Sequence, residues 1–211
     1  MKPGVLRIGI AAVLVLGVGG GMGWMQWRAA RDMTVSGDPA ASLAAQVGGP
    51  WTLSDPQGRT VTNETWRGKV QVMFFGYRFC PDICPTELQT IGQAMDLLGA
   101  DAAGVQPLFV SIDPARDRGS VLAEYTAQFH PSIIGLSGTA AQTAAIARAY
   151  RVYYAKVVPA GADPDDYSMD HSSIVYLIGR DGKTAGLLPA GTAPDAMAAA
   201  IRHVLAGGPA T

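Results

Sequence analysis

The chain has 211 residues, 48% of them hydrophobic and 16% charged, and a formal net charge of −1 at pH 7. That length allows one domain with a full core plus a further segment, and the near-neutral balance excludes nucleic acid as the expected partner. Two cysteines are too few for a disulfide-stapled scaffold or a four-cysteine zinc site.

Residues 1–32 read as a membrane anchor outside the fold. Lys2 and Arg7 precede an uncharged stretch, residues 8–27, which Arg28 and Arg31 close. About 20 helical residues at ~1.5 Å each match the ~30 Å hydrocarbon layer. Trp24 and Trp27 stand at its far end, where aromatic rings favour the interface. A cleaved signal peptide is the alternative, with Gly21-Met22-Gly23 as a poor small-x-small site. The flanking charges nearly balance, so they leave the orientation open. Residues 33–50, rich in Ala, Gly and Ser, read as a flexible tether. The globular domain is expected over residues 51–206, with 207–211 as a tail.

Within the domain, residues 51–53 and 59–61 predict two short strands around the turn Asp55-Pro56-Gln57-Gly58, and residues 63–66 one helical turn. Residues 69–75 read as a buried central strand. It leads into FGYRFCPDICPTEL, residues 75–88, which holds both Cys80 and Cys84. Pro85 favours a first helical position, and Leu88, Ile91, Met95 and Leu98 recur at helical spacing. A helix is therefore expected from Pro85 to Leu98, with Cys84 at or next to its N-cap, where the positive helix end lowers a thiol pKa. Residues 106–112 form a continuous apolar run, as buried parallel strands do, and Asp113-Pro114-Ala115-Arg116-Asp117 ends it. There follow a helix over 120–129, a strand over 133–136, an Ala-rich helix over 139–150 and a half-exposed strand over 152–158. Residues 159–169 read as a polar loop, 173–178 and 184–188 as a hairpin, and 195–205 as an amphipathic helix. The order β-α-β, α, β-β-α predicts an α/β domain that is thioredoxin-like, with a mixed central sheet and helices on both faces.

A structural disulfide between Cys80 and Cys84 would be a poor staple, because so small a loop restricts the unfolded chain by only about 2 kcal/mol. Their place between strand and helix, with Pro81 and Pro85 stiffening the loop, points instead to accessible, activated thiols that bind a soft metal or exchange a disulfide. His171 precedes the strand over 173–178. In a thioredoxin-like sheet the loop entering that strand faces the cysteine loop, so His171 is expected to reach both sulfurs. His130 and His203 read as surface or boundary residues. Two thiolates and an imidazole make a three-coordinate set. Soft sulfur favours Cu(I), and a trigonal Cys-and-His set also holds Cu(II), whereas a closed zinc site needs a fourth ligand. Asp170, next to His171, cannot easily reach the same ion and reads as an outer partner or a solvated residue.

These segments resemble the Sco/SenC family of copper-binding, membrane-tethered, thioredoxin-fold proteins. The family's C-x-x-x-C stands as Cys80-Pro81-Asp82-Ile83-Cys84, its Ser-x-Asp-Pro-x-Arg-Asp as Ser111-Ile112-Asp113-Pro114-Ala115-Arg116-Asp117, and its Asp-His-Ser as Asp170-His171-Ser172. The resemblance covers residues 47–205. It implies one copper, Cu(I) or Cu(II), on Cys80, Cys84 and His171, and a role in assembling the dinuclear copper site of cytochrome c oxidase subunit II or of another copper oxidase. It also implies a domain on the outer side of the cytoplasmic membrane, in the periplasm or an equivalent space, with other copper carriers or thiol reductants as further partners. Oxidation to a Cys80–Cys84 disulfide would remove two ligands, so copper loading should need a reductant. The rim of Tyr77, Phe79, Pro81 and Ile83 is expected to be an exposed apolar docking surface. Asp113-Pro114 speaks to the fold and carries no chemical assignment.

Three rival functions use the same residues. A thiol-disulfide oxidoreductase acting on the cysteines of that site would employ Cys80 and Cys84 as attacking and resolving thiols. Ordinary members of that class have two residues between the cysteines and a proline where this chain has Asp170-His171-Ser172-Ser173. A peroxidase of the peroxiredoxin kind would need a threonine three residues before its cysteine, where Tyr77 and Pro81 stand. A copper or redox sensor would be served by the same three residues.

Overall fold

The computed structural model describes residues 46–208. The expected anchor lies outside these residues, and among those described no helix is long and apolar enough to cross a membrane. The last residues of the predicted tether are held to the domain. Val47 is buried and its carbonyl accepts the Thr184 hydroxyl at 2.8 Å, while the Gly48 amide donates to the Ala149 carbonyl at 2.8 Å.

The strand with the strongest sequence signal sits at the centre. β3 (Val70–Gly76) is buried at every residue, as expected of a strand covered on both faces. β4 (Val105–Ser111) and β5 (Ile134–Leu136) run parallel to it on one side; on the other, β8 (Ile174–Ile178) is antiparallel to it and β9 (Thr184–Pro189) antiparallel to β8, giving the order β5-β4-β3-β8-β9. β1 (Thr52–Ser54) and β2 (Thr60–Thr62) form a separate hairpin. The Asp55 carboxylate fixes its turn by accepting the Gln57 and Arg59 amides at 3.0 and 2.9 Å.

Helices cover both faces of the central sheet. They are α1 (Ile83–Leu98), α2 (Gly119–Ala127), α3 (Ala140–Ala149) and α4 (Pro194–Leu205), with a 3₁₀ turn over Gly99–Gly104. Alternation along β3 sends Phe74 and Gly76 to one face and Met73 and Phe75 to the other. On the first face Phe74 meets Phe109, which meets Tyr125 of α2, at ring separations of 6.3 and 5.7 Å. On the second, Phe75 meets Tyr150, which ends α3, and Tyr176 at 5.7 and 5.5 Å. α4 lies against α1, and Glu87 of α1 accepts the Gly191 amide from the turn before α4 at 3.1 Å. A capping box between Thr139 and Gln142 starts α3. This mixed α/β architecture fits the expected thioredoxin-like class.

Two local expectations need correction. α1 begins at Ile83, not Pro85. Pro85 is tolerated at the third helical position because the first four amides of a helix have no partner inside it. The segment expected as loop before His171 instead contains a strand, β7 (Ser168–His171), which pairs antiparallel with β6 (Tyr154–Val157), Tyr154 opposite His171. These two strands form a ribbon separate from the central sheet.

Candidate metal centre

The carboxyl end of the central strand is where the three candidate residues meet. Cys84 is the second residue of α1, fully buried, and its sulfur rests over Gly76. A Cβ at Gly76 would lie 2.6 Å from Cys84 Sγ and 2.9 Å from the Phe109 ring, so only glycine leaves room for the thiol. Cys80 stands in the preceding loop, its amide donating to the Tyr77 carbonyl at 3.3 Å. The Cys84 amide, free because it lies in the first helical turn, donates to Cys80 Sγ at 3.4 Å. The helix end therefore serves Cys80.

That inverts the expected thiol chemistry. Cys80 is held down to about 3 by the hydrogen bond from the Cys84 thiol, helped by the His171 ring and by the Asp82 and Cys84 amides, against its partial burial. Cys84 is pushed up by the same hydrogen bond and by burial. The shifts run in opposite directions, and the Cys84 amide points at Cys80 Sγ, so Cys80 is the more readily ionised of the pair. Both sulfurs are buried, Cys80 at 9% exposure and Cys84 at 0%, where the flanking prolines had suggested open thiols.

His171 arrives from the ribbon. Its Nε2 lies 3.4 Å from Cys84 Sγ, and its Nδ1 donates to the Ser172 carbonyl at 3.0 Å. A carbonyl only accepts, so Nδ1 carries a proton, and Nε2 is the ring nitrogen turned toward the sulfurs. Phe74 and Tyr77 present their rings edge-on to the imidazole at 6.2 and 6.0 Å. The three candidate ligand atoms all lie within 4.8 Å of one another, and among the described residues these three form the group that could hold a metal ion. Two sulfurs and one imidazole suit a soft or borderline ion and leave a coordination position free.

The remaining candidates lie elsewhere. Asp170 is exposed, on the opposite side of β7 from His171 as strand alternation requires. His130 bonds Ser132 at 2.7 Å and faces Asp96 at 3.4 Å, and His203 is exposed on α4. The expected docking rim loses Tyr77, which is 2% exposed beneath His171. Phe79, at 50%, is its most prominent apolar member. Sequence reasoning missed Gly76, and it missed Asp117. The fully buried Asp117 carboxylate accepts the Arg78 amide at 2.9 Å and the Ser111 hydroxyl at 2.8 Å. The available signal was the run of charges directly after an apolar strand.

Comparison with known proteins agrees with this architecture. The bovine mitochondrial SCO2 homologue is 38% identical over 181 residues, 84% of this chain and 67% of its own length. Yeast mitochondrial SCO1 is 37% identical over 180 residues, 83% of this chain and 60% of its own. The chain thus spans about two thirds or less of these two relatives. The structure of Bradyrhizobium japonicum ScoI with copper bound superposes with a TM-score of 0.69 at 38% identity, covering 75% of this chain and 99% of that one. The SCO1/SenC family model matches residues 39–206, through every element from β1 to α4, and the chain belongs to that family.

Proposed function

We propose that the chain is a membrane-tethered copper metallochaperone that carries one copper, as Cu(I) or Cu(II), on Cys80, Cys84 and His171. The observation that carries this reading is the convergence of two sulfurs and one imidazole nitrogen within 4.8 Å. Copper bound to the ScoI relative supports it. The cargo meets Cys80, the more readily ionised of the pair. Cys84 gives up its proton on binding, and His171 contributes the Nε2 lone pair that the Ser172 carbonyl orients. The open position admits a thiolate from the acceptor, so that each new bond to the copper replaces one from this chain. The acceptor in this reading is the dinuclear copper site of cytochrome c oxidase subunit II, docking over Phe79, Pro81 and Ile83. Residues 1–32 anchor the chain in the cytoplasmic membrane, with the domain in the periplasm or an equivalent space.

One observation favours a second reading, reduction of the acceptor's cysteine pair. Cys80, the more accessible of the two residues, accepts the Cys84 amide at its sulfur, and Cys84 stands against it. Attack of Cys80 on an acceptor disulfide would form a mixed disulfide. Attack of Cys84 on Cys80 would then release the acceptor dithiol, the two electrons passing to it as Cys80–Cys84 becomes oxidised.

A single preparation tests both readings. The full-length chain should stay in carbonate-washed membranes and, once reduced, retain one copper per chain. Recovery in the soluble fraction would remove the anchor. A copper-free protein with a readily cycled Cys80–Cys84 disulfide would hand the function to the reductase.

A further inference from the structure

The β6–β7 ribbon that brings His171 to the cysteines is a two-stranded sheet of its own. Such a ribbon is marginal in isolation, so its placement over Cys84 depends on what ties it to the body of the domain. The loop after β4 supplies the tie. Asp113 is 3% exposed, and its two oxygens accept Arg116 Nε at 2.5 Å and the Tyr167 hydroxyl at 2.8 Å. Arg116 Nη1 donates to the Tyr167 carbonyl at 3.0 Å, and the guanidinium lies 3.6 Å from the centre of the Tyr167 ring. The same guanidinium lies 4.6 Å from the centre of the Phe79 ring. Phe79 is bonded to Cys80, and Tyr167 directly precedes β7. Arg116 therefore touches the leader of the ribbon and the cysteine loop together. Asp117 holds the cysteine side of the same loop through the Arg78 amide and its guanidinium, 3.8 Å away.

We infer that Asp113 and Arg116 form a clamp that positions His171 over Cys84. The planar fork of Arg116 is fixed by two hydrogen bonds and two ring contacts, a geometry that a point charge cannot reproduce. With the clamp closed, three donors converge. With it open, the two cysteines remain and the imidazole leaves with its ribbon. The clamp thus sets how many ligands hold the cargo, and that consequence rests on the copper reading above. The placement of His171 does not.

The test uses the full-length chain with Arg116→Ala, Arg116→Lys and Tyr167→Phe, read in two ways. In the metal-free protein, Arg116→Ala should speed amide hydrogen exchange over residues 168–172 by on the order of tenfold and leave β3 and β4 unchanged. In the copper-loaded protein it should weaken Cu(II) binding by about tenfold, with loss of the sulfur-to-copper absorption, and spare Cu(I). Arg116→Lys should stay near the alanine variant, and full recovery by lysine would overturn the clamp. So would unchanged exchange over residues 168–172. If Arg116→Ala fails to fold, Tyr167→Phe carries the test, because it removes only the hydroxyl bonded to Asp113. Faster ribbon exchange in a chain that takes no copper as wild type would sink the copper reading and leave the clamp standing.

Discussion

Cys84→Ser should abolish stoichiometric copper binding to the reduced chain. Cys84 is the fully buried sulfur, and it lies 3.4 Å from the His171 nitrogen, so both halves of the centre meet at it. Serine is smaller and fits the space over Gly76, so the fold should survive. Its hydroxyl is a hard donor that stays protonated, where a soft ion needs thiolate. The loss in affinity should exceed the roughly 100-fold at the upper end for outer contacts of a metal site. Equilibrium dialysis against copper checks it, and undiminished binding would remove Cys84 from the ligand set.

Gly76→Ala should damage both stability and the site, without touching a ligand. The added carbon would sit 2.6 Å from Cys84 Sγ and 2.9 Å from the Phe109 ring. Neither neighbour has anywhere to go: both are 0% exposed, and Phe109 is already held between the rings of Phe74 and Tyr125. Overpacking of this kind costs about 1–3 kcal/mol, and the easiest relief, displacement of Cys84, moves it away from Cys80 and His171. Denaturant unfolding should show a lower midpoint, and dialysis a weaker copper site. A wild-type midpoint with undiminished copper would mean that the thiol does not rest on the strand.

Much of this was legible in the residues themselves. The apolar runs of β3 and β4 announced a buried parallel pair, and the spacing of Leu88, Ile91, Met95 and Leu98 announced α1, because burial on a regular element leaves a periodic trace. Cys80, Cys84 and His171 could be brought together on topology, since strand order decides which loops face each other. β7 was hidden because its four residues include Asp170 and His171, and it pairs only with β6, outside the central sheet. Without a second buried face it has little hydrophobic pattern to show. The direction of thiol ionisation was hidden too. It turns first on the hydrogen bond from the Cys84 thiol and then on where the amides of the first helical turn point. Asp113, Arg116 and Asp117 stood in plain view as charges, but their partners Tyr167, Phe79 and Arg78 lie tens of residues away in the chain.

The central claim is that one copper is held by two sulfurs and an imidazole brought from a different part of the fold. A copper titration of the reduced full-length chain, wild type beside His171→Ala and read by visible absorption and bound metal, tests it most directly. Wild type should take one equivalent with a strong sulfur-to-copper band, and His171→Ala should lose that band with Cu(II) while still binding Cu(I). Identical spectra from the two proteins would contradict the claim, because His171 would then lie outside the ligand set.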